Sequence, residues 1–210
     1  MMNLQPLFEA QKKLDEHIEK SKGLEGQNLL DKKILALQVE LGELANEWRG
    51  FKYWSENKEP NAKEEVVCGF CDEGVIHDGR SAPGVCGWCL GDYVESCKNP
   101  LLEEYVDCLH FILSIGNDLG MSETITAEWI SEQGDYSEET TTDTFICLLQ
   151  EVAGINTYHQ QYVRDKYETA FLILIALGLE ERHLGFTWEQ IEQAYFAKNE
   201  ENHQRQENGY

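Results

Sequence analysis

Glu40-x-x-Glu43 and Glu104-x-x-Asp107 are acidic pairs at helical spacing, with a cysteine-rich stretch between them. An i, i+3 step puts two carboxylates on neighbouring positions of one helix face. Two such helices side by side can therefore aim four hard oxygen ligands into one cleft. That outline suits Mg2+ and a phosphorylated ligand. Spacing leaves alternatives open. Glu103 with Asp107 is an equally good i, i+4 pair, and Glu47 continues the Glu40/Glu43 stripe. In a chain with 39 Asp and Glu residues, an E-x-x-E also arises on an ordinary solvated helix face.

Helices must position these residues. Leu4 to Lys20 reads as a first helix closed by a Gly-containing segment, Lys22 to Gly26. From Leu29 to Trp48, the apolar residues Ile34, Leu37, Leu41, Leu44 and Trp48 step by three or four, and the acidic stripe runs about a quarter turn away, at the border of the core. Pro100 opens a helix that reaches Gly120 and is apolar on most sides, so its carboxylates need partners. One long helical stretch is expected from about Thr144 to Leu177, bent near Gly154, after a loop around Gly134. A last helix starts at a capping box, Thr187-x-x-Gln190, and runs into a polar tail. The expected fold is all-α, with residues 1–55 and 100–210 forming one helical domain and 56–99 an insertion.

Composition narrows the partners. A formal net charge of −22 opposes a nucleic-acid duplex or an anionic membrane as the main partner. A small polyanion remains admissible where metal ions reverse the local field. No signal-peptide-like apolar run opens the chain, and the longest apolar run, Phe171 to Leu177, is too short to span a bilayer. A cytoplasmic protein is expected.

In the insertion, Cys68-x-x-Cys71 and Cys86-x-x-Cys89 are separated by fourteen residues. Each C-x-x-C turn offers two thiolates to one tetrahedral Zn2+, so a structural zinc site is expected. The halves CGFCDEG and CGWCLG are similar to each other and to the zinc-binding repeats of DnaJ-type modules. A disulfide pair is the alternative, disfavoured in a reducing compartment. His77 and Cys97 are spare potential ligands, while Cys108 and Cys147 fall within helices as core residues. An exposed module of this kind could also contact a regulatory protein or a partner subunit.

Three blocks carry a resemblance: LALQVELGELANEWRGFKYWS (35–55), LLEEYVDCLHFILSIG (101–116) and AYFAKNEENHQRQENGY (194–210). Together they resemble the dimeric all-α dUTP diphosphatases of phages and Gram-positive bacteria, part of the all-α nucleoside triphosphate pyrophosphohydrolases that include the MazG-type enzymes. The resemblance covers the chain outside the segment from Glu56 to Asn99. It implies a homodimer that hydrolyses dUTP, and dUDP as a second substrate, to dUMP. It also implies Mg2+ ligation by Glu40, Glu43, Glu104 and Asp107, choosing Glu104 over Glu103. By the same analogy Glu40 orients or deprotonates the attacking water, a ligand-only role being the alternative.

For the substrate, the resemblance implies that Gln11 recognises the uracil edge together with Asp15, where some relatives carry Asn. It implies that Trp54 lines the nucleotide pocket, and that the phosphates meet Lys198, Asn199, Asn202, Arg205 and Tyr210. The alternative enzyme is a MazG-like pyrophosphohydrolase for another nucleotide. A di-iron bundle would need Glu-x-x-His pairs on helices. Glu180-x-x-His183 falls in an expected loop, and Asp107-x-x-His110 only imitates the motif.

Overall fold

The computed structural model of the chain describes residues 2–67, 75–76, 84–85, 94–134, 136, 138–155 and 160–209. Among these, seven helices make up the body and four short strands lie within the insertion. The all-α expectation holds. Cys68, Cys71, Cys86, Cys89 and Tyr210, all named from the sequence as site residues, lie outside the described residues, as does His77.

Helix α1 (Gln5–Lys22) ends on Gly23, whose φ of 66° is the left-handed conformation that closes helices at least cost when no Cβ is present. Helix α2 (Leu30–Trp48) buries Leu37, Leu41 and Leu44. Strands β1 (Glu64–Val67) and β4 (Val94–Lys98) pair antiparallel, with Glu64 opposite Lys98, and β2 (Val75–Ile76) pairs with β3 (Gly84–Val85). The insertion therefore leaves and returns at one place. Its root is tied to the helices: Asn61 N–H donates to the Glu47 carbonyl at 2.9 Å, and the Asn61 carbonyl accepts from Leu101 N–H at 3.1 Å.

Helix α3 (Pro100–Leu119) is the central element, packed against α1, α2, α6 and α7. Asn99 caps it by accepting from Leu102 N–H at 3.1 Å, and Gly120 ends it at φ 68°. Gly116 lies inside α3. A methyl group there would overlap the Tyr167 ring, so glycine permits a close helix approach.

A short helix α4 (Ala127–Glu132) precedes the segment around Gly134 and is capped by the Thr126 side chain. The expected long helix is instead two: α5 (Thr141–Gly154) and α6 (Gln160–Leu179), which pack against each other. The apolar periodicity passes through the break because both helices face the same core, and periodicity alone cannot see a chain reversal. Phe171 to Leu177 is the buried centre of α6, and no described helix is long and apolar enough to cross a membrane. Helix α7 (Trp188–Glu207) begins at Thr187 with both capping-box bonds made, and continues as helix where a polar tail was expected. Cys108 is fully buried, whereas Cys147 is only half-buried, 3.5 Å from Glu138.

Candidate active site

Helix α2 carries Glu40 and Glu43, and α3 carries Glu104 and Asp107 where the two helices pack most extensively. Carboxylate oxygens of Glu40, Glu43 and Glu104 all lie within 4.8 Å of one another. Glu103, one residue away, points to solvent. Glu47 is engaged elsewhere, accepting from Asn61 Nδ2 at 2.6 Å at the root of the insertion. Asp107 stands beside the cluster and accepts a 2.6 Å charge-assisted hydrogen bond from Lys198 Nζ on α7.

Crowded carboxylates at the edge of a core resist ionisation. Burial pushes Glu40 up to about 7, with Asp107 and then Glu43 adding repulsion and Lys198 opposing it. Glu104 is likewise pushed up to about 7 by burial and by Asp107, Glu43 and Glu40. Asp107 is raised by burial despite the hydrogen bond and positive charge of Lys198. One oxygen of Glu104, Oε2, is buried with no hydrogen-bond partner. Three converging carboxylates, one of them with an unpartnered buried oxygen, are a donor set that fits a hard divalent cation, which would relieve the repulsion among them.

A cleft of about 460 Å³ opens beside this cluster. It is lined by Gln11 and Asp15 from α1, by Lys33 and Glu40 from α2, by Asp107, His110 and Ser114 from α3, and by Lys198, Asn202 and Arg205 from α7. Four helices thus contribute through i, i+3 and i, i+4 steps. Asp15 accepts from Gln11 Nε2 at 2.8 Å and from Ser114 Oγ at 2.7 Å, and Lys33 Nζ stands 3.7 Å away. Burial raises Asp15, while Lys33 and these two hydrogen bonds pull it back. Gln11 Oε1 accepts from the Tyr195 hydroxyl at 3.0 Å and lies 2.7 Å from His110 Nδ1.

Not every residue named from the sequence lies here. Trp54 is 65% exposed, edge-on to Phe51 and Tyr53, and does not line the cleft. Asn199 is buried outside the lining, with its Nδ2 unpartnered. Conversely, Lys33, His110, Phe111 and Ser114 line the cleft and were not named as site residues. Helical spacing contained the signal, since Lys33 lies two turns before Glu40, and His110 and Ser114 follow Asp107 at steps of three and four. His183, in the Glu180-x-x-His183 pattern, is committed elsewhere. Its Nδ1 is 3.0 Å from Thr141 Oγ1 and its Nε2 is 3.4 Å from Thr144 Oγ1, which ties the α6–α7 turn to α5.

A helical bundle that converges carboxylates and cations on one cleft has the groups expected of a metal-dependent hydrolase of phosphate anhydrides. The family model of the dUTPases matches residues 3–77 and 90–210, so the chain belongs to that all-α family. It is a dUTP diphosphatase, and its family implies a divalent metal cofactor. Between its two segments the match leaves out residues 78–89, within the insertion. A search of curated proteins returned no match.

Proposed function

We propose that the enzyme hydrolyses dUTP, and dUDP as a second substrate, to dUMP with Mg2+ held by Glu40, Glu43, Glu104 and Asp107. The observation that carries this reading is one cleft lined together by Gln11, Asp15, Glu40, Asp107, Lys198, Asn202 and Arg205. Gln11 and Asp15 take the base. Lys198, Asn202 and Arg205 take the phosphates, with Asn199 behind them and Tyr210 assigned from the family pattern. Trp54 reaches the nucleotide only from outside the described cleft.

Bound Mg2+ would supply charge neutralisation at the phosphoryl oxygens and acidify a water. Lys198 balances Asp107 in this structure and is placed to exchange that partner for phosphate. Glu40 accepts the proton of the attacking water. The water oxygen bonds to one of the two phosphorus atoms of the α–β anhydride as that P–O bond breaks, giving dUMP with pyrophosphate, or with phosphate for dUDP. Turnover of a nucleotide panel with titrated Mg2+ tests the reading. Strong preference for deoxyuridine nucleotides supports it, and equal turnover of dUTP, dCTP and dTTP would sink it in favour of a broader pyrophosphohydrolase.

Two further assignments rest on sequence and exposure. Cys68, Cys71, Cys86 and Cys89 hold one structural Zn2+ in an insertion spanning 56–99. Elemental analysis should give about one zinc per chain, lost on Cys86→Ser with Cys89→Ser. The chain is cytoplasmic and pairs as a homodimer, consistent with Leu35 and Val39 exposed at 62% and 51% on α2. Light scattering that returned the mass of one chain would overturn the dimer.

A further inference from the structure

A helix leaves its last carbonyls and its first N–H groups without partners inside the helix. Where α2 ends and α3 begins, one residue of the insertion root serves both. The Glu47 carbonyl, in the last turn of α2, accepts from Asn61 N–H at 2.9 Å, and Leu101 N–H, in the first turn of α3, donates to the Asn61 carbonyl at 3.1 Å. The Asn61 side chain reinforces the first bond. Its Nδ2 donates to Glu47 Oε2 at 2.6 Å, a charge-assisted hydrogen bond. Asn61 is thus a crosspiece between two helices, and it stands one turn from a carboxylate on each. Glu43 precedes Glu47 by four residues, and Glu104 follows Leu101 by three.

Oxygens of Glu40, Glu43 and Glu104 lie within 4.8 Å of one another, and like charges at that range repel. The cluster therefore needs support from outside itself to stay together before an ion arrives. We infer that Asn61 is a positioning residue for the metal site: by tying the last turn of α2 to the first turn of α3, it holds Glu43 and Glu104 in register with each other. This rests on the reading of Glu40, Glu43, Glu104 and Asp107 as the metal ligands. The two main-chain bonds can be made by any residue at this position, so the specific contribution of asparagine is the amide bond to Glu47, which anchors the crosspiece to α2. A carboxylate accepts and an amide nitrogen donates, so the bond has one polarity and can be broken or reversed by exchange of the two groups. Strand β1 begins at Glu64, beyond the crosspiece, so the clamp belongs to the root and does not need the module it carries.

Mn2+ takes the same oxygen ligands as Mg2+ and loses its free-ion EPR signal on binding, so it is titrated into the nucleotide-free full chain. Glu43→Gln identifies the part of that binding which belongs to the cluster. Asn61→Asp sets one carboxylate against another and should weaken cluster binding about 10-fold or more, the size found when a group that orients metal ligands is lost. Charge acting alone would do the opposite, because an added anion attracts the ion. Asn61→Asp combined with Glu47→Gln restores the hydrogen bond with donor and acceptor exchanged, at the net charge of the wild type, and should return the affinity to within about threefold. In turnover, Asn61→Asp should raise the Mg2+ concentration for half-maximal rate and leave KM for dUTP at saturating Mg2+ unchanged. Asn61→Ala removes the amide without adding charge, should shift Mn2+ binding in the same direction by less, and serves if Asn61→Asp does not fold. Cluster binding as tight as or tighter than wild type in a folded Asn61→Asp or Asn61→Ala protein, or no recovery in the exchanged pair, overturns the inference. Wild-type Mn2+ binding that Glu43→Gln leaves unchanged would instead overturn the metal reading itself, and the role of Asn61 with it.

Discussion

Glu43 is the exposed member of the three converging carboxylates, so its replacement disturbs packing least and tests the metal assignment most cleanly. Glu43→Gln should lower kcat/KM for dUTP by about 100-fold or more and shift the Mg2+ requirement upward, while the melting temperature of the metal-free protein holds or rises. Full activity in that variant would remove the metal assignment. The carboxylates also set a pH dependence whose sign follows from the direction of their shifts. Glu40 and Glu104 are raised from 4.5 to about 7, so folding favours their protonated forms. That contribution is complete below pH 4.5 and is lost as pH rises through 7. In EDTA, the stability supplied by these two groups should fall between pH 5 and 8, and Glu104→Gln should flatten the fall. Saturating Mg2+ binds the deprotonated carboxylates, so it should raise the melting temperature more at pH 8 than at pH 5.

Elements carry the site, and two contacts between them bear on its stiffness. His17 on α1 and His203 on α7 bring their Nδ1 atoms to 2.8 Å, with ring centroids 5.1 Å apart. The ring separation is that of two imidazoles meeting nearly head-on, so a single N–H is shared between them. This clasp joins the helix that offers Gln11 and Asp15 to the turn of α7 that offers Asn202 and Arg205. Ser21 adds a hydrogen bond to Gln206 at 3.2 Å. His203→Ala should raise KM for dUTP several-fold with little change in kcat, and should speed amide exchange in the last two turns of α7. Unchanged exchange there would mean the clasp holds nothing. The second contact is the approach of α3 to α6, where a methyl at Gly178 would overlap the Tyr105 ring. Gly178→Ala should destabilise the fold by about 1–3 kcal/mol, read from urea unfolding, because Tyr105 is fully buried next to Glu104.

At the scale of the whole molecule, 17 Lys and Arg residues face 39 Asp and Glu, yet Lys32, Lys33, Lys198 and Arg205 all line one cleft. A small polyanion is thus drawn to a cleft that offers it cations on an otherwise acidic chain, with metal completing the charge balance. The insertion is attached to this body by a narrow root. Among the described residues its strands pair with each other and make at most minor contact with the helices. Replacing residues 64–98 by a short flexible linker should therefore preserve the melting temperature and dUTP turnover to within about threefold. A large loss of turnover with the fold intact would show that the insertion reaches the chemistry. Loss of dimerisation would make it an assembly element, and retention of both would leave it free to serve a regulatory partner.

Local periodicity determined a good deal of this protein. The boundaries of α1, α2 and α3, the Thr187 capping box and the buried Leu37–Leu41–Leu44 stripe all follow from interactions within four residues along a helix, which a sequence displays directly. The resemblance of three sequence blocks to a known family, rather than spacing, singled out Gln11, Asp15, Lys198, Asn202 and Arg205, which the fold gathers in one cleft. The break between α5 and α6 was hidden because an apolar stripe continues unaltered from one helix to the next when both face one core. Only tertiary structure could distinguish Glu104 from Glu103 by geometry, send Glu47 to Asn61, or set Trp54 outside the cleft. The same holds for the meeting of Gln11, His110 and Tyr195, whose hydrogen bonds link α1, α3 and α7. The acidic pairs were legible as pairs because a helix brings i and i+3 together. Which oxygens converge depends on how two helices, more than fifty residues apart in sequence, are rotated about their axes.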